Sequence, residues 1–292
     1  MPSTRDIRRR IKSVKSTAQI TRAMQMVAAS KMRKAQQSAL AGRPYALLLN
    51  QVLGNVTFRA CDFTHPLMEQ REVKKRCVIV VSTDKGLCGA LNGNLMREAA
   101  KFDRATTAYI AAGRKAAQFV ARMKRTLAAE FTYKDSPLLV EARAICKYAT
   151  DMFFNRQVDC VDILFTSFIS TLSQKPELRR LLPIGEIKAL SAGIPRAAGG
   201  EKLTHDATEF AFEPDVEHVL GALLPHSLNF QVYQILLEAK ASEQSARMVA
   251  MKSATDNANQ LIKDLTLEYN KMRQAGITNE LLEISTAAMA LN

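Results

Sequence analysis

Helix breakers are missing from both ends of the chain. The last 67 residues, His226 to Asn292, hold no proline and one glycine, Gly276, and Ser3 to Ala41 carries neither residue. One unbroken helix over the C-terminal stretch would span about 100 Å, well beyond the diameter of a compact domain. Long apolar runs are absent as well. No stretch reaches the roughly 18 apolar residues that a membrane-spanning helix needs. The charged N-terminus has no apolar segment behind it, so no signal peptide is expected. Five cysteines (Cys61, Cys77, Cys88, Cys146, Cys160) are odd in number and lack CxxC spacing. They read as reduced thiols, not as a disulfide frame or a zinc site. The four histidines are scattered. With no triad motif, carboxylate pair or activated nucleophile either, no catalytic residue, cofactor or metal is expected.

What is present is charge, unevenly spread. The 292 residues carry a formal +13. Met1 to Tyr45 holds eleven Lys or Arg against one acid, Asp6, whereas His226 to Asn292 holds six bases and seven acids. The excess therefore sits on the N-terminal segment, which calls for an acidic counterpart: nucleic acid, an anionic membrane or acidic protein loops. Aromatics interleaved with these bases, as single-strand binding would use, are lacking.

The pattern divides the chain into three parts: an N-terminal helix over 1–60, a central α/β domain over 61–214 and a C-terminal helix over 215–292, its helical pattern running from about Pro225. In the first, Ile7, Ile11, Val14 and Ala18 follow the four-three spacing of a coiled-coil seam. A second stripe, Ile20, Met24 and Val27, is expected to turn the apolar face around the helix, and Gly42 and Pro44 to bend or interrupt it.

In the central part, "CVIVVST", "TTAYIAAG" and "VDCVDILFTSF" read as buried strands, and "ATEFAFEP" (207–214) as a weaker one. Helical stretches at Asn94–Phe102, Arg114–Arg122 and Leu138–Asn155 intervene, giving an open α/β sheet with right-handed crossovers. Ser191 to Asp206 is a polar, glycine-rich loop. "STDKGLCGALNGN" (82–94) places a glycine-rich turn between strand and helix, where phosphates are often cradled. It matches neither common phosphate-loop pattern, and reads better as a tight turn with close packing at Gly86, Gly89 and Gly93.

The C-terminal helix carries a small-residue seam, Ala239, Ser242, Ala246, Val249 and Ser253, suited to close helix approach and unlike a membrane-surface helix. A larger seam follows: Ile277, Leu281, Ile284, Ala288 and Leu291. The N-terminal helix is too short to cover all of this partner. Part of the C-terminal helix should project alone, and its apolar stripe then requires a sleeve from another protein. Met24, Met26, Met32, Met248, Met251 and Met272 lie on these two helices, where they read as gap-filling packing or as soft contacts for changing partners.

"ITRAMQMVAASKMRKAQ" (20–36), "STDKGLCGALN" (82–92), "ASEQSARMVAMKSATDNA" (241–258) and "YNKMRQAGITNELLEI" (269–284) resemble the gamma subunit of bacterial F-type ATP synthase, in order across the whole chain. The resemblance implies a long antiparallel coiled coil of the N- and C-terminal helices with a central open, Rossmann-like α/β domain. It implies a non-catalytic central rotor shaft that couples proton flow through the c ring to ATP synthesis or hydrolysis at the beta subunits. The implied partners are the alpha and beta subunits, the epsilon subunit and the c ring, without nucleic acid and with only indirect membrane association. The implied location is peripheral, on the cytoplasmic face of the bacterial cell membrane. Position by position, it implies beta- or alpha-subunit contacts at Met24, Lys31, Arg33, Arg247, Arg273, Gln274, Thr278, Glu280 and Glu283. It places the foot that meets the c ring, less specifically, around Phe212 to Gln231. The chain departs from the family at Ala287, where glycine is usual, and lacks the paired-cysteine insertion of the chloroplast branch, which implies no thiol regulation.

Overall fold

The computed structural model describes residues 3–59, 65–133, 135–184 and 216–290. Its elements in chain order are α1 (Thr4–Arg59), a short 3-10 turn (Pro66–Met68), β1 (Arg76–Val81), α2 (Leu91–Ala100), β2 (Thr107–Ala112), α3 (Arg114–Arg122), β3 (Thr126–Phe131), α4 (Leu139–Phe154), β4 (Cys160–Phe168), β5 (Gln174–Leu182) and α5 (Val216–Ala290). They form two compact units. One holds Met1–Ala29 with Arg247–Asn292, the other Ser30–Ala246.

In the first unit, α1 begins on a reciprocal cap. Ser3 Oγ accepts the Asp6 amide at 3.3 Å, and the Asp6 carboxylate accepts the Ser3 amide and hydroxyl at 3.3 and 2.8 Å. The helix then buries Ile7, Ala18 and Ala28, with Ile11, Val14, Thr21 and Gln25 half-buried between them. These positions alternate four and three throughout. On α5, Met251, Thr255, Ala258 and Leu265 are buried at the same spacing. Thr21 and Thr255 share a hydroxyl hydrogen bond of 2.7 Å, which fixes the register. An antiparallel pairing through that bond sets Ala18 opposite Ala258 and Ile11 opposite Leu265, each buried or half-buried with its counterpart.

Two expectations fail here. Ile20 and Val27 are 60% and 55% exposed, so the seam does not turn around α1; it continues through Thr21 and Gln25, with polar side chains at seam positions. Ser253 is exposed, because the buried register on α5 passes through Met251 and Thr255.

The second unit is a five-stranded sheet in the order β3-β2-β1-β4-β5. β1 to β4 are parallel and β5 runs antiparallel to β4. Cys77, Ile79 and Val81 of β1 pack on one face with Ile145, Ala149 and Phe153 of α4 and with Leu220, Leu224, Leu228, Val232 and Ile235 of α5. Val78 and Val80 pack on the other face with Leu95 and Ala99 of α2 and Ala116 and Val120 of α3. Burial on both faces is why β1 reads as an unbroken apolar run.

The helix at Arg114–Arg122 stands as expected, and α4 differs by one residue at either end. α2 starts earlier than expected, at Leu91, because Leu91 and Leu95 are both core residues. Edge strands β3 and β5 were not expected. α5 begins at Val216 and passes through Pro225, and α1 passes through Pro44. A proline inside a helix costs about 3 kcal/mol. Leu220, Leu224, Leu228 and Val232, spaced by four and nearly inaccessible, offset that cost through continuous burial. The strand expected at 207–214 and the loop at 191–206 lie outside the described residues.

Candidate partner-contact surface

The antiparallel register carries a simple consequence at the end of the first unit. With Thr21 opposite Thr255, the first helical residue of α1, Thr4, stands opposite Met272. Among the residues of α5 whose burial is described, Met272 is the last half-buried one, and every residue from Arg273 to Ala287 is exposed. Ile277, Leu281, Leu282, Ile284 and Met289 are each more than half exposed, which is a large apolar area for one bare helix end. Arg273, Gln274, Thr278, Glu280 and Glu283 all lie on this segment. Thr278 Oγ1 donates back to the Gln274 backbone carbonyl at 3.0 Å.

α1 supplies a second exposed face. Ile20, Met26 and Val27 are exposed beside half-buried Met24, and Arg5, Arg8, Arg9, Arg10, Lys12, Lys15 and Arg22 all reach solvent. Arg247 on α5 is half-buried. Lys31 and Arg33 belong to the second unit. Arg33 is exposed, whereas Lys31 is already engaged: its ammonium lies 2.5 Å from Asp135.

The glycine-rich turn is spent on capping. At the N-terminus of α3, Asp84 Oδ1 accepts the Arg114 amide at 3.0 Å, the Thr83 carbonyl accepts Lys115 at 3.1 Å and Ser82 Oγ accepts Ala116 at 2.8 Å. The turn's side chains are thus committed to α3, while α2, the helix that follows the turn itself, has Ala90 as its N-cap residue and no side-chain cap. Gly89 has a positive φ of 60°, as the turn requires. Gly86 and Gly93 have open space where a side chain would go, so the expected close packing at those two does not occur. The glycine that is required is Gly113, at φ 106°, directly against the Ser82 backbone.

Open α/β sheets bind ligands at the carboxyl ends of their strands, where the strand order reverses. Here that place, between β1 and β4, is taken by α5. Glu238 Oε1 accepts from Ser167 Oγ at 2.7 Å and from the Phe168 amide at 3.1 Å, both at the end of β4. Ser245 Oγ donates to the Thr171 carbonyl at 2.8 Å. Lys240 lies over the Tyr133 ring at 5.3 Å, and the Tyr133 hydroxyl donates to the Ser82 carbonyl at the end of β1. Ala239 to Ser245 are all buried. Sequence reasoning missed Glu238, Lys240, Asp135 and Gly113; for the first two, the polar residues Lys240, Ser242, Glu243, Gln244 and Ser245, unusual at a buried helix seam, were the available signal.

Comparisons with known proteins agree with this arrangement. A family model described as ATP synthase matches residues 3–291. The ATP synthase gamma chain of Opitutus terrae is 49% identical over 292 residues, covering 99% of each chain. The chain belongs to the ATP synthase gamma-chain family. The gamma chain of Methylacidiphilum infernorum is 44% identical over 296 residues, covering both chains in full. Among solved structures, a chain of the Euglena gracilis mitochondrial ATP synthase matches with a TM-score of 0.67 at 20% identity, over 99% of this chain and 94% of that one. A chain from the central stalk and c ring of the Tetrahymena thermophila enzyme matches with a TM-score of 0.60 at 24% identity, over 80% and 99%. These two share the fold. As a gamma-chain family member, the protein is a subunit of ATP synthase and so of a membrane-associated complex. Among the described residues, no helix is long and apolar enough to cross a membrane.

Proposed function

We propose that this chain is the non-catalytic central shaft of its ATP synthase. Helices 1–60 and 215–292 form the axle, and 61–214 forms the domain that couples it to the membrane rotor. The alpha and beta subunits form the sleeve around the axle, while the epsilon subunit and the c ring meet the α/β domain and foot on the cytoplasmic face. The bare end of α5 carries this reading. An exposed apolar helix beyond Met272 is costly in water, and a surrounding protein collar removes that cost.

Arg273, Gln274, Thr278, Glu280 and Glu283 are then the contacts at the far bearing. Met24, Lys31, Arg33 and Arg247 face acidic loops of the beta subunits. Single exposed ion pairs contribute about 0–1 kcal/mol, so no one angle of the shaft is held tightly enough to stall rotation. The α/β domain's own crevice is filled by α5, which supports a mechanical role over nucleotide chemistry.

The test is reconstitution of ATPase activity from separately purified alpha and beta subunits of the same source, with and without this chain. Co-assembly with a marked rise in cooperative turnover is expected. A chain that neither co-purifies with them nor changes turnover would refute the shaft role.

A further inference from the structure

Four charges in the second unit form an alternating row. Lys31 on α1 meets Asp135 in the β3–α4 loop at 2.5 Å. Asp135 also meets Lys240 on α5 at 3.3 Å, and Lys240 meets Glu243 at 3.0 Å. Burial rises sharply along the row. The Lys31 and Asp135 side chains are 44% and 58% exposed, whereas those of Lys240 and Glu243 are 4% and 5%. The inner pair is locked, since a buried ion left without its partner is strongly unfavourable. The outer pair is in water, where ion pairs are weak and easily exchanged.

The two carboxylate oxygens of Asp135 divide this work. Oδ2 holds Lys31 and Oδ1 holds Lys240. The Asp135 carboxyl is held down to about 2, first by the hydrogen bond from Lys31 and with Lys240 also contributing. If Lys31 leaves, Lys240 still faces Asp135, and no buried charge is stranded. Lys31 is thus a cation stored at the surface on a partner that can give it up. Lys240 differs in that its ammonium is itself buried, between Asp135 and the buried Glu243.

We propose that Asp135 is an internal competitor for Lys31, and that an acidic partner loop takes Lys31 over from it on assembly. This rests on the reading of α1 as a surface that meets acidic loops. The partner chemistry follows from the cation: a carboxylate on an exposed loop, offered within reach of the α1 surface. The internal pair also keeps the Lys31 side chain extended in one place before the partner arrives. Because exchange swaps one exposed ion pair for another, it is nearly neutral, as suits a contact that must form and break at each step of a rotation.

The experiment measures the dissociation constant of the full chain for the alpha–beta head at low and high potassium chloride. Asp135→Asn removes the competitor and is expected to tighten binding about twofold to fivefold at low salt, an advantage that fades as salt screens the contact. Asp135→Glu should restore the wild-type value. Lys31→Gln loses the old and the new pair together, so it should bind about as the wild type does, and adding Asp135→Asn to it should then change nothing. A merely structural loss at Asp135 would weaken binding, or would act equally with Gln at position 31; either result overturns the inference. If Asp135→Asn binds no tighter than the wild type while Lys31 is in place, the exchange has no partner and the inference falls, while the shaft reading stands. If the wild-type chain itself fails to join the head, both fall together.

Discussion

Replacing Gly113 with alanine should unfold the sheet-bearing unit far more readily than the same change at Gly86 or Gly93. Gly113 sits at φ 106° and ψ 146°, close to a region that only glycine populates, and holding another residue there costs about 1–3 kcal/mol. The added Cβ would also meet the carbonyl of Ser82. That carbonyl cannot retreat, because it accepts the Tyr133 hydroxyl at 2.8 Å while the Ser82 amide donates to Ala112 at 2.8 Å. Gly113 itself donates to Phe131 across the sheet at 2.8 Å. Strain and overlap together come to about 3 kcal/mol or more. At about 2–4 °C per kcal/mol, the melting midpoint of this unit should fall by about 6–12 °C. Gly93→Ala is the matched control. Its position is open, exposed and inside α2, so alanine should be neutral or stabilising by up to about 1 kcal/mol. Scanning calorimetry of the two variants reads both signs. A Gly113→Ala midpoint no lower than that of Gly93→Ala would refute the reasoning.

Removing everything after Met272 should leave the melting temperature unchanged, since Arg273 to Ala287 bury nothing, yet weaken co-purification with alpha and beta subunits. Cys77, Cys88, Cys146 and Cys160 should resist maleimide in the native protein at pH 7. Burial pushes the Cys77 and Cys146 thiols up to about 12 and about 11, and mass spectrometry after brief labelling would expose an error. Asp135 ionises more readily folded than unfolded, so its contribution to stability is present above about pH 4 and disappears as pH falls toward about 2. Its carboxylate is more than half exposed, so that contribution stays under about 1 kcal/mol after screening. Acid titration of unfolding in Lys31→Gln should show a shallower fall over that window.

The central strands were legible because β1, β2 and β4 are covered on both faces, which forces continuous apolar runs such as Cys77–Val81. The edge strands were not. β3 is mostly exposed or half-buried, and β5 carries Pro176 and the charges Lys175, Glu177, Arg179 and Arg180, a composition that protects an edge but reads as loop. The helix ends at Pro225 were misjudged for the opposite reason: local propensity argued for a stop, and burial of Leu220, Leu224 and Leu228 overrode it. The coiled-coil seam was legible as far as Ala18. Beyond it, Thr21 and Gln25 occupy seam positions that a search for apolar spacing passes over, and Ile20 and Val27 drew attention precisely where the helix faces water. The unpartnered end of α5 was visible from lengths alone. The charge row at Asp135 was not, since it joins three segments distant in sequence.

The polar turn of α5 across the ends of β1 and β4 has one more consequence. A ligand carried on the same chain is present at an effective concentration in the millimolar range or above, whatever the cell contains. Glu238 and Ser245 are such a ligand: a resident tenant of the place where related sheet architectures receive visitors. A free nucleotide would have to evict a helix that is also part of the hydrophobic core through Val232, Ile235 and Ala239. The domain has in effect exchanged recognition for rigidity, and its former mouth has become a socket.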